Sequence, residues 1–486
     1  LSRSLSYQVG ILTLGRFVSF VALFFASIVN VRTLSQADYG SYRQFWLLYD
    51  TVTVALFVSF PSSLLYYFPR AENKAEKSVY LTQTLVFLFV MGLMSWGVYW
   101  VLRLVLHGSL GDAARQYTWA FCLFTLFMMI TRMLERLFVA EKRPGAQAVW
   151  IAVIFSAQAL VVVGASWLSH SVGVIIQALV VYAFVNAVFT VGYSVYAYKP
   201  SLRACSYATF KEQASYAVPL GLASIVLLVF GQTDKYVITY FLGKETFAIY
   251  SVGAMQLPLV DMLRNSVMNI VFPLMAEHQK RDQLPEILGL WRRATLKLAI
   301  LFFPIFVFLE VSAKPFITIL FTEKYVTATV IFMIYLLVFL RSTLDTTTVL
   351  MVFKENGFMF KVNVVAFAVH VVFAVSMYKK YGWLGVPCAT VIMVYLQNGV
   401  FLWKSARLLK ESLLTVMPWG ALVLRLLTAL ALGACLYVVY RVRPVGNFFE
   451  LAVAGVLYLL VYFGLCLVFR FAKISDVTSA LAGAKR

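Results

Sequence analysis

Long apolar runs separated by short polar turns dominate this sequence from one end to the other. Each run is about 18–25 residues, enough to cross the ~30 Å of hydrocarbon in a bilayer. One such run can be a buried core helix. A dozen or more in succession leave no soluble core able to hold them. Inside hydrocarbon each segment must satisfy its own backbone groups, which a helix does and an open strand does not. A barrel would show alternating segments of about ten residues, and that pattern is absent. With 62% apolar and 13% charged residues, the fold class is an all-α polytopic membrane protein. The runs predict fourteen transmembrane helices, near 9–31, 43–66, 80–106, 117–140, 147–168, 173–197, 214–241, 247–272, 294–319, 327–352, 358–379, 384–404, 417–440 and 448–471. Twelve is the smaller count if the last pair is an addition to the core.

Two stretches read as copies of one unit. Residues 6–69 and 215–273 each begin with Ser-Tyr and end on Phe-Pro, at Ser6-Tyr7, Phe68-Pro69, Ser215-Tyr216 and Phe272-Pro273. Their polar turns align, 34–42 on 242–250, with Leu34 on Leu242 and Tyr42 on Tyr250. A repeat of this kind predicts two pseudo-symmetric six-helix lobes, 1–200 and 201–408, followed by a helix pair and tail at 409–486. The loops are too short for a separate extramembrane domain. The stretch 274–293 places Leu284, Ile287, Leu288 and Trp291 at helical spacing, which predicts an amphipathic segment lying on the inner surface. The small, polar tail 476–486 predicts a frayed end.

The net charge of +20 is explained by loop asymmetry and calls for no nucleic-acid partner. Lys and Arg crowd alternate loops, at 70, 74 and 77, at 142 and 143, and at 280, 281, 292 and 293. The intervening loops carry few, such as Lys244 and Lys324. The positive-inside rule therefore puts both termini in the cytoplasm. The five cysteines are isolated and most lie in apolar runs, where they act as small hydrophobes.

Charges within the apolar runs are costly, so they face a cavity, pair, or snorkel to the interface. Snorkelling accounts for Arg43 at a run start and Lys314 near a run end. Arg16 has no acid on an adjacent turn. Arg264 has Asp261 three residues before it, Arg341 has Asp345 four residues after it, and Arg132, Glu135 and Arg136 cluster. Such pairs can simply lock helices together. Their recurrence, with Lys235, points instead to a cationic cavity that would hold an anionic headgroup, with Arg gripping phosphate oxygens as a fork. The cationic set is Arg16, Arg264, Arg341, Arg132, Arg136 and Lys235. The candidates for coupling to a proton or sodium gradient are Asp234, Asp261, Asp345, Asp50 and Glu310. Pro61, Pro219, Pro258, Pro304 and Pro387 lie in or near the starts of apolar runs, where they bend or break helices. No phosphate-binding GxxxxGK[ST] loop, HExxH or GxSxG is present. No catalytic residue or cofactor is implied.

Two sets of motifs carry a family resemblance. The first is VRTLSQADYGSYRQFWLLYD followed by SFPSSLLYYFPR. The second runs from Tyr216–Pro219 through Thr233-Asp234-Lys235, Phe241-Leu242-Gly243 and Ile249-Tyr250-Ser251-Val252-Gly253 to Phe272-Pro273. Over about residues 5–405 the chain resembles the polysaccharide-transporter branch of the multidrug/oligosaccharidyl-lipid/polysaccharide exporter superfamily. It departs from the usual Leu-Gly at Leu34-Ser35 and keeps it at Leu242-Gly243. The resemblance implies a two-lobed alternating-access flippase in the bacterial inner membrane, moving an undecaprenyl-pyrophosphate-linked oligosaccharide for O-antigen, capsule or exopolysaccharide assembly. It also implies membrane lipids and a polysaccharide polymerase complex as partners. The alternatives are a lipid II-type cell-wall precursor flippase, and a cation-coupled drug antiporter of the same superfamily, whose cavity should be acidic. A scaffold of an export complex is a third class, which several intramembrane arginines disfavour.

Overall fold

The computed structural model describes residues 5–57, 59–106, 108–255 and 257–469. The tail 476–486 lies outside them. Every regular element among the described residues is helical. The chain is an all-α polytopic membrane protein. Among the described residues nine helical stretches are long and apolar enough to cross a membrane, or ten if one bent pair counts as a span.

The chain divides into two compact units, Leu1–Ser251 and Val252–Arg486. The first contains α1 (Leu5–Thr33), α2 (Gln36–Phe57), α3 (Leu64–Tyr67), α4 (Lys74–Val105), α5 (Gly108–Gln116), α6 (Thr118–Ala140), α7 (Pro144–Ser169), α8 (Val172–Tyr198) and nearly all of α9 (Tyr207–Gly253). Local chemistry sets several starts. Asn73 caps α4 by accepting from the Glu76 backbone N at 2.8 Å, and Pro144 opens α7 where a missing N–H costs nothing. Within the membrane α1 packs along α7, and the Ser19 hydroxyl donates to the Ile151 carbonyl at 3.0 Å. An aromatic cluster fills the centre, with Phe45 stacked on Phe121 at 4.5 Å and Tyr49 against Phe124 at 4.8 Å.

Hydrogen bonds tie α9 to this unit, which is why the division falls beyond it. The Tyr67 hydroxyl donates to the Glu212 carbonyl at 3.1 Å, Gln213 Nε2 to Ser63 Oγ at 3.0 Å, and the Tyr236 hydroxyl to Thr51 Oγ1 at 2.6 Å. The two aligned turns break helix at matching places. Ser35 ends α1 and caps α2, accepting from the Asp38 backbone N at 3.1 Å. Its counterpart Gly243 takes φ 81° inside α9, a region glycine enters without a Cβ clash. The two turns also meet: a Cβ on Gly40 would stand 1.9 Å from the Lys244 carbonyl oxygen.

The second unit contains α10 (Pro258–Lys280), α11 (Leu284–Val311), α12 (Ala313–Phe321), α13 (Ala328–Arg341), α14 (Thr347–Val352), α15 (Asn356–Tyr381), α16 (Gly385–Leu408), α17 (Trp419–Val442) and α18 (Phe448–Val468). Its centre is α11. Of its apolar window 61% is buried, against at most 39% for any other span, and it packs on α10, α13, α17 and α18. Two expectations are corrected here. The run 247–272 is not one helix: the chain leaves helix after Gly253 and restarts at Pro258, which has no N–H to continue a ladder. The stretch 274–293 does not lie on a membrane surface as a separate segment. It completes α10 and begins α11, and Ile287, Leu288 and Trp291 are buried in protein. Trp291 Nε1 donates to the Asp345 carbonyl at 2.8 Å.

Candidate functional site

In the first unit, a cavity of about 330 Å³ opens between α1, α2, α6, α7 and α8. Arg43 and Asp50 reach it from α2, Arg132 and Glu135 from α6, and Gln158 from α7. Asp50 is the focus of its charges, because Arg132, Lys235 and Arg43 all act on it electrostatically. The Arg132 guanidinium carbon lies 5.6 Å from the centroid of the Tyr49 ring and also feels Asp50 and Glu135. The side chain of Arg132 is exposed to the cavity although the helix around it is largely buried. Lys235 donates to Gln232 Oε1 at 2.6 Å. Its neighbour Asp234 is 2% exposed and accepts from the Tyr250 hydroxyl at 2.8 Å. Adjacent residues on a helix diverge by about 100°, so the two serve different surroundings.

The fold therefore gathers Asp50, Arg132 and Lys235 from three distant places in the chain. It does not bring Arg136 to the cavity wall; that residue is exposed one turn further along α6. Arg16 is exposed on α1 and has no ion-pair partner among the described residues. Nor does Glu135 pair at ion-pair distance with Arg132 or Arg136, as the cluster on α6 suggested. Arg43, expected to snorkel, instead borders the cavity, with its Nε buried and unpartnered. The available signal was its position two helical turns before Asp50, on the same face. Tyr49, Trp46 and Tyr182 carried no such signal, because aromatic residues are frequent throughout.

In the second unit, Asp261 and Arg264 form an ion pair at 3.0 Å, with 26% of the arginine and 57% of the aspartate side chain exposed. Arg341 and Arg264 act on one another as like charges, and each has a buried Nε with no hydrogen-bond acceptor. A pair of guanidiniums with open donors is suited to a multivalent oxyanion. The expected pairing of Arg341 with Asp345 is not made. Helix α13 ends at Arg341, and Asp345 turns to the next helix, accepting from Thr347 Oγ1 at 2.8 Å and the Thr348 backbone N at 3.1 Å. The hydroxyl-rich run Ser342–Thr348 favours such local bonds over continued helix. Glu310 is half-buried at the end of α11, away from both groups of charges in sequence. Among the described residues no trio of His, Cys, Asp and Glu is placed to hold a metal ion.

Comparison with known proteins agrees with this architecture. The chain is similar to a lipid II flippase in an inward closed conformation, at TM-score 0.70 and 15% identity over 93% of this chain and 99% of that one. It is similar to a MOP-superfamily transporter from Pyrococcus furiosus, at TM-score 0.56 and 12% identity over 84% and 97% of the two chains. It is also similar to an outward-facing multidrug-resistance MATE transporter of that superfamily, at TM-score 0.57 and 12% identity over 84% and 97%. No curated protein matches the sequence. The fold is shared with these transporters. A family described as "Polysaccharide biosynthesis protein" matches residues 29–330, more than half of the chain, which therefore belongs to that family and carries the fold of the MOP superfamily.

Proposed function

We propose that the chain is a flippase that moves a polyprenyl-pyrophosphate-linked saccharide between the leaflets of the bacterial inner membrane by alternating access. The observation that carries this reading is the extent of the likeness to the lipid II flippase, which spans 99% of that chain. That likeness exceeds the likeness to the MATE transporter. It favours a lipid II-type cell-wall precursor as substrate, the alternative held beside the oligosaccharide reading. The oligosaccharide precursor of O-antigen, capsule or exopolysaccharide is supported by the family description. Both substrates present the same pyrophosphate, and Arg264 with Arg341 is the pair best suited to it. Arg16, Arg132, Arg136 and Lys235 extend the cationic set. A drug antiporter is less favoured, because the intramembrane excess is basic.

Fourteen crossings belong to this proposal, as do the lobes 1–200 and 201–408 with 409–486 appended. The stretch Asn356–Leu408 counts once by length and composition, yet 53 residues of unbroken helix would span about 80 Å. It holds two helices, α15 and α16, packed on each other. Helices α6, α10 and α13 stand outside the apolar count and carry Arg132, Arg264 and Arg341.

For energy coupling, Asp234, Asp261, Asp345, Asp50 and Glu310 are not equal. Asp50, ringed by three cations, is poorly disposed to bind another, and its role is to hold the cationic cavity together. The deciding experiment is reconstitution in liposomes, with lipid II and an undecaprenyl-pyrophosphate oligosaccharide supplied separately and leaflet accessibility measured. Translocation of either supports a flippase and identifies its substrate. Movement of neither, with drug efflux present, would reject it.

A further inference from the structure

A second cavity lies at one end of the first unit, away from the charges around Asp50. There the starts of α4 and α7 and the ends of α6 and α8 border an open concavity of about 700 Å³. Its walls carry six charged residues, and they are not evenly matched. Glu141 is already engaged. It accepts from the Tyr198 hydroxyl at 2.7 Å, the Tyr193 hydroxyl at 3.4 Å and Arg143 Nη1 at 3.3 Å, with 8% of its side chain exposed. This places a fixed, satisfied carboxylate in the wall, and Arg143 keeps other donors free.

Lys74, Lys77 and Lys142 also line the cavity. None has a carboxylate within ion-pair distance among the described residues. Two of them lie over aromatic rings instead: the Lys74 ammonium is 6.0 Å from the Tyr198 centroid and that of Lys77 is 5.4 Å from the Phe68 centroid. Such contacts direct an ammonium without neutralising it. Lys142 follows α6 in a left-handed conformation, φ 56°, and is exposed. Glu72 is the other acid of the lining, and it too is exposed. The first turns of α4 and α7 open at this wall through Asn73 and Arg143, and helix starts add positive potential.

Loop lysines that serve only to orient a membrane protein need nothing more than water around them. Here three ammoniums without an ion pair and a guanidinium converge on one concavity, against two acids, of which Glu141 is already satisfied and Glu72 is exposed. We infer that this cavity is a binding site for a phosphate group, carried as the phosphodiester or phosphomonoester of an anionic lipid headgroup or as free phosphate. The guanidinium and ammoniums would take its oxygens, and the half-buried ring of Tyr198 would pack against its carrier. The site shares no residue with the cationic set proposed for the transported substrate.

Native mass spectrometry on the full chain in detergent tests this, with phosphatidylglycerol and phosphatidylcholine as probes. Thermal melting with added inorganic phosphate forms the second arm. The wild type should retain phosphatidylglycerol about tenfold more strongly than phosphatidylcholine, as expected for charge-assisted bonds. The triple variant Lys74→Gln, Lys77→Gln, Lys142→Gln should lose that preference, and the triple Arg variant should keep it. A phosphate-dependent rise in melting temperature without lipid preference, again lost in the Gln variant, would assign the site to free phosphate. A folded Gln variant that retains phosphatidylglycerol and responds to phosphate like the wild type overturns the inference. If that variant does not fold, Lys142→Gln decides, since its side chain has no structural partner. Unchanged retention there overturns the inference as well.

Discussion

Asp345 takes two hydrogen bonds from the start of α14, so its carboxylate is committed to capping a helix. Asn caps about as well as Asp, whereas Ala costs about 0.5–2 kcal/mol. Asp345→Asn should therefore keep nearly full stability and transport, and Asp345→Ala should melt lower. Equal loss of transport in both variants would show that the charge, not the cap, matters. Arg264 and Arg341 call for the opposite pattern. Each hydrogen bond to a charged group is worth about 1.5–3 kcal/mol, so Arg264→Gln or Arg341→Gln should lower substrate flipping about 10- to 100-fold with expression intact. The Lys variants should recover only part of it, because an ammonium cannot make the fork. Flipping at the wild-type rate in both Gln variants would remove this pair from the substrate site. These residues were legible in the sequence as charges where charge is costly. Their partners were not: the Asp345 cap depends on where α13 stops, and no apolar pattern marks that point.

At the scale of the element, α11 and the aligned turns decide most. Trp291 is fully buried near the start of α11, and removing a side chain of that size costs about 3–5 kcal/mol. Trp291→Ala should lower the melting temperature of the detergent-solubilised protein clearly more than Trp291→Phe; a wild-type melting curve for Trp291→Ala would contradict the central place given to α11. Gly40 lies so close to the Lys244 backbone that any side chain must force the two turns apart. Gly40→Val should melt lower and flip more slowly, and normal behaviour in both assays would show that this approach is dispensable. The apolar runs foretold helix, because the cost of unpaired backbone in hydrocarbon leaves no other structure for them, but the run 294–319 is divided between α11, which begins at Leu284, and α12. Periodicity misjudged 274–293, where an amphipathic face looks the same whether it meets lipid headgroups or a protein core.

For the whole molecule, the proposed fourteen crossings, with the expected cytoplasmic termini, make a direct prediction. In a cysteine-free background, Lys142→Cys, Lys199→Cys and Lys354→Cys should react with an impermeant maleimide only after the cell is opened. Lys324→Cys and Lys379→Cys should react in intact cells, and any exchange between the two groups breaks the topology. Composition and run length by themselves determined the all-α membrane class, because hydrocarbon thickness and backbone satisfaction are set by the solvent and not by neighbouring residues. The motifs at 31–70 and 216–273 pointed to a polysaccharide family, and the family that matches residues 29–330 is of that kind. Which charges share a space depended on how the helices pack. Asp50, Arg132 and Lys235 lie far apart in the chain, and Arg43 looked like a residue reaching for the interface. Helix packing placed Arg43, Asp50 and Arg132 around one cavity and Lys235 within electrostatic reach of Asp50, since electrostatic partnership depends on distance in space, which one-dimensional spacing does not report beyond a few turns.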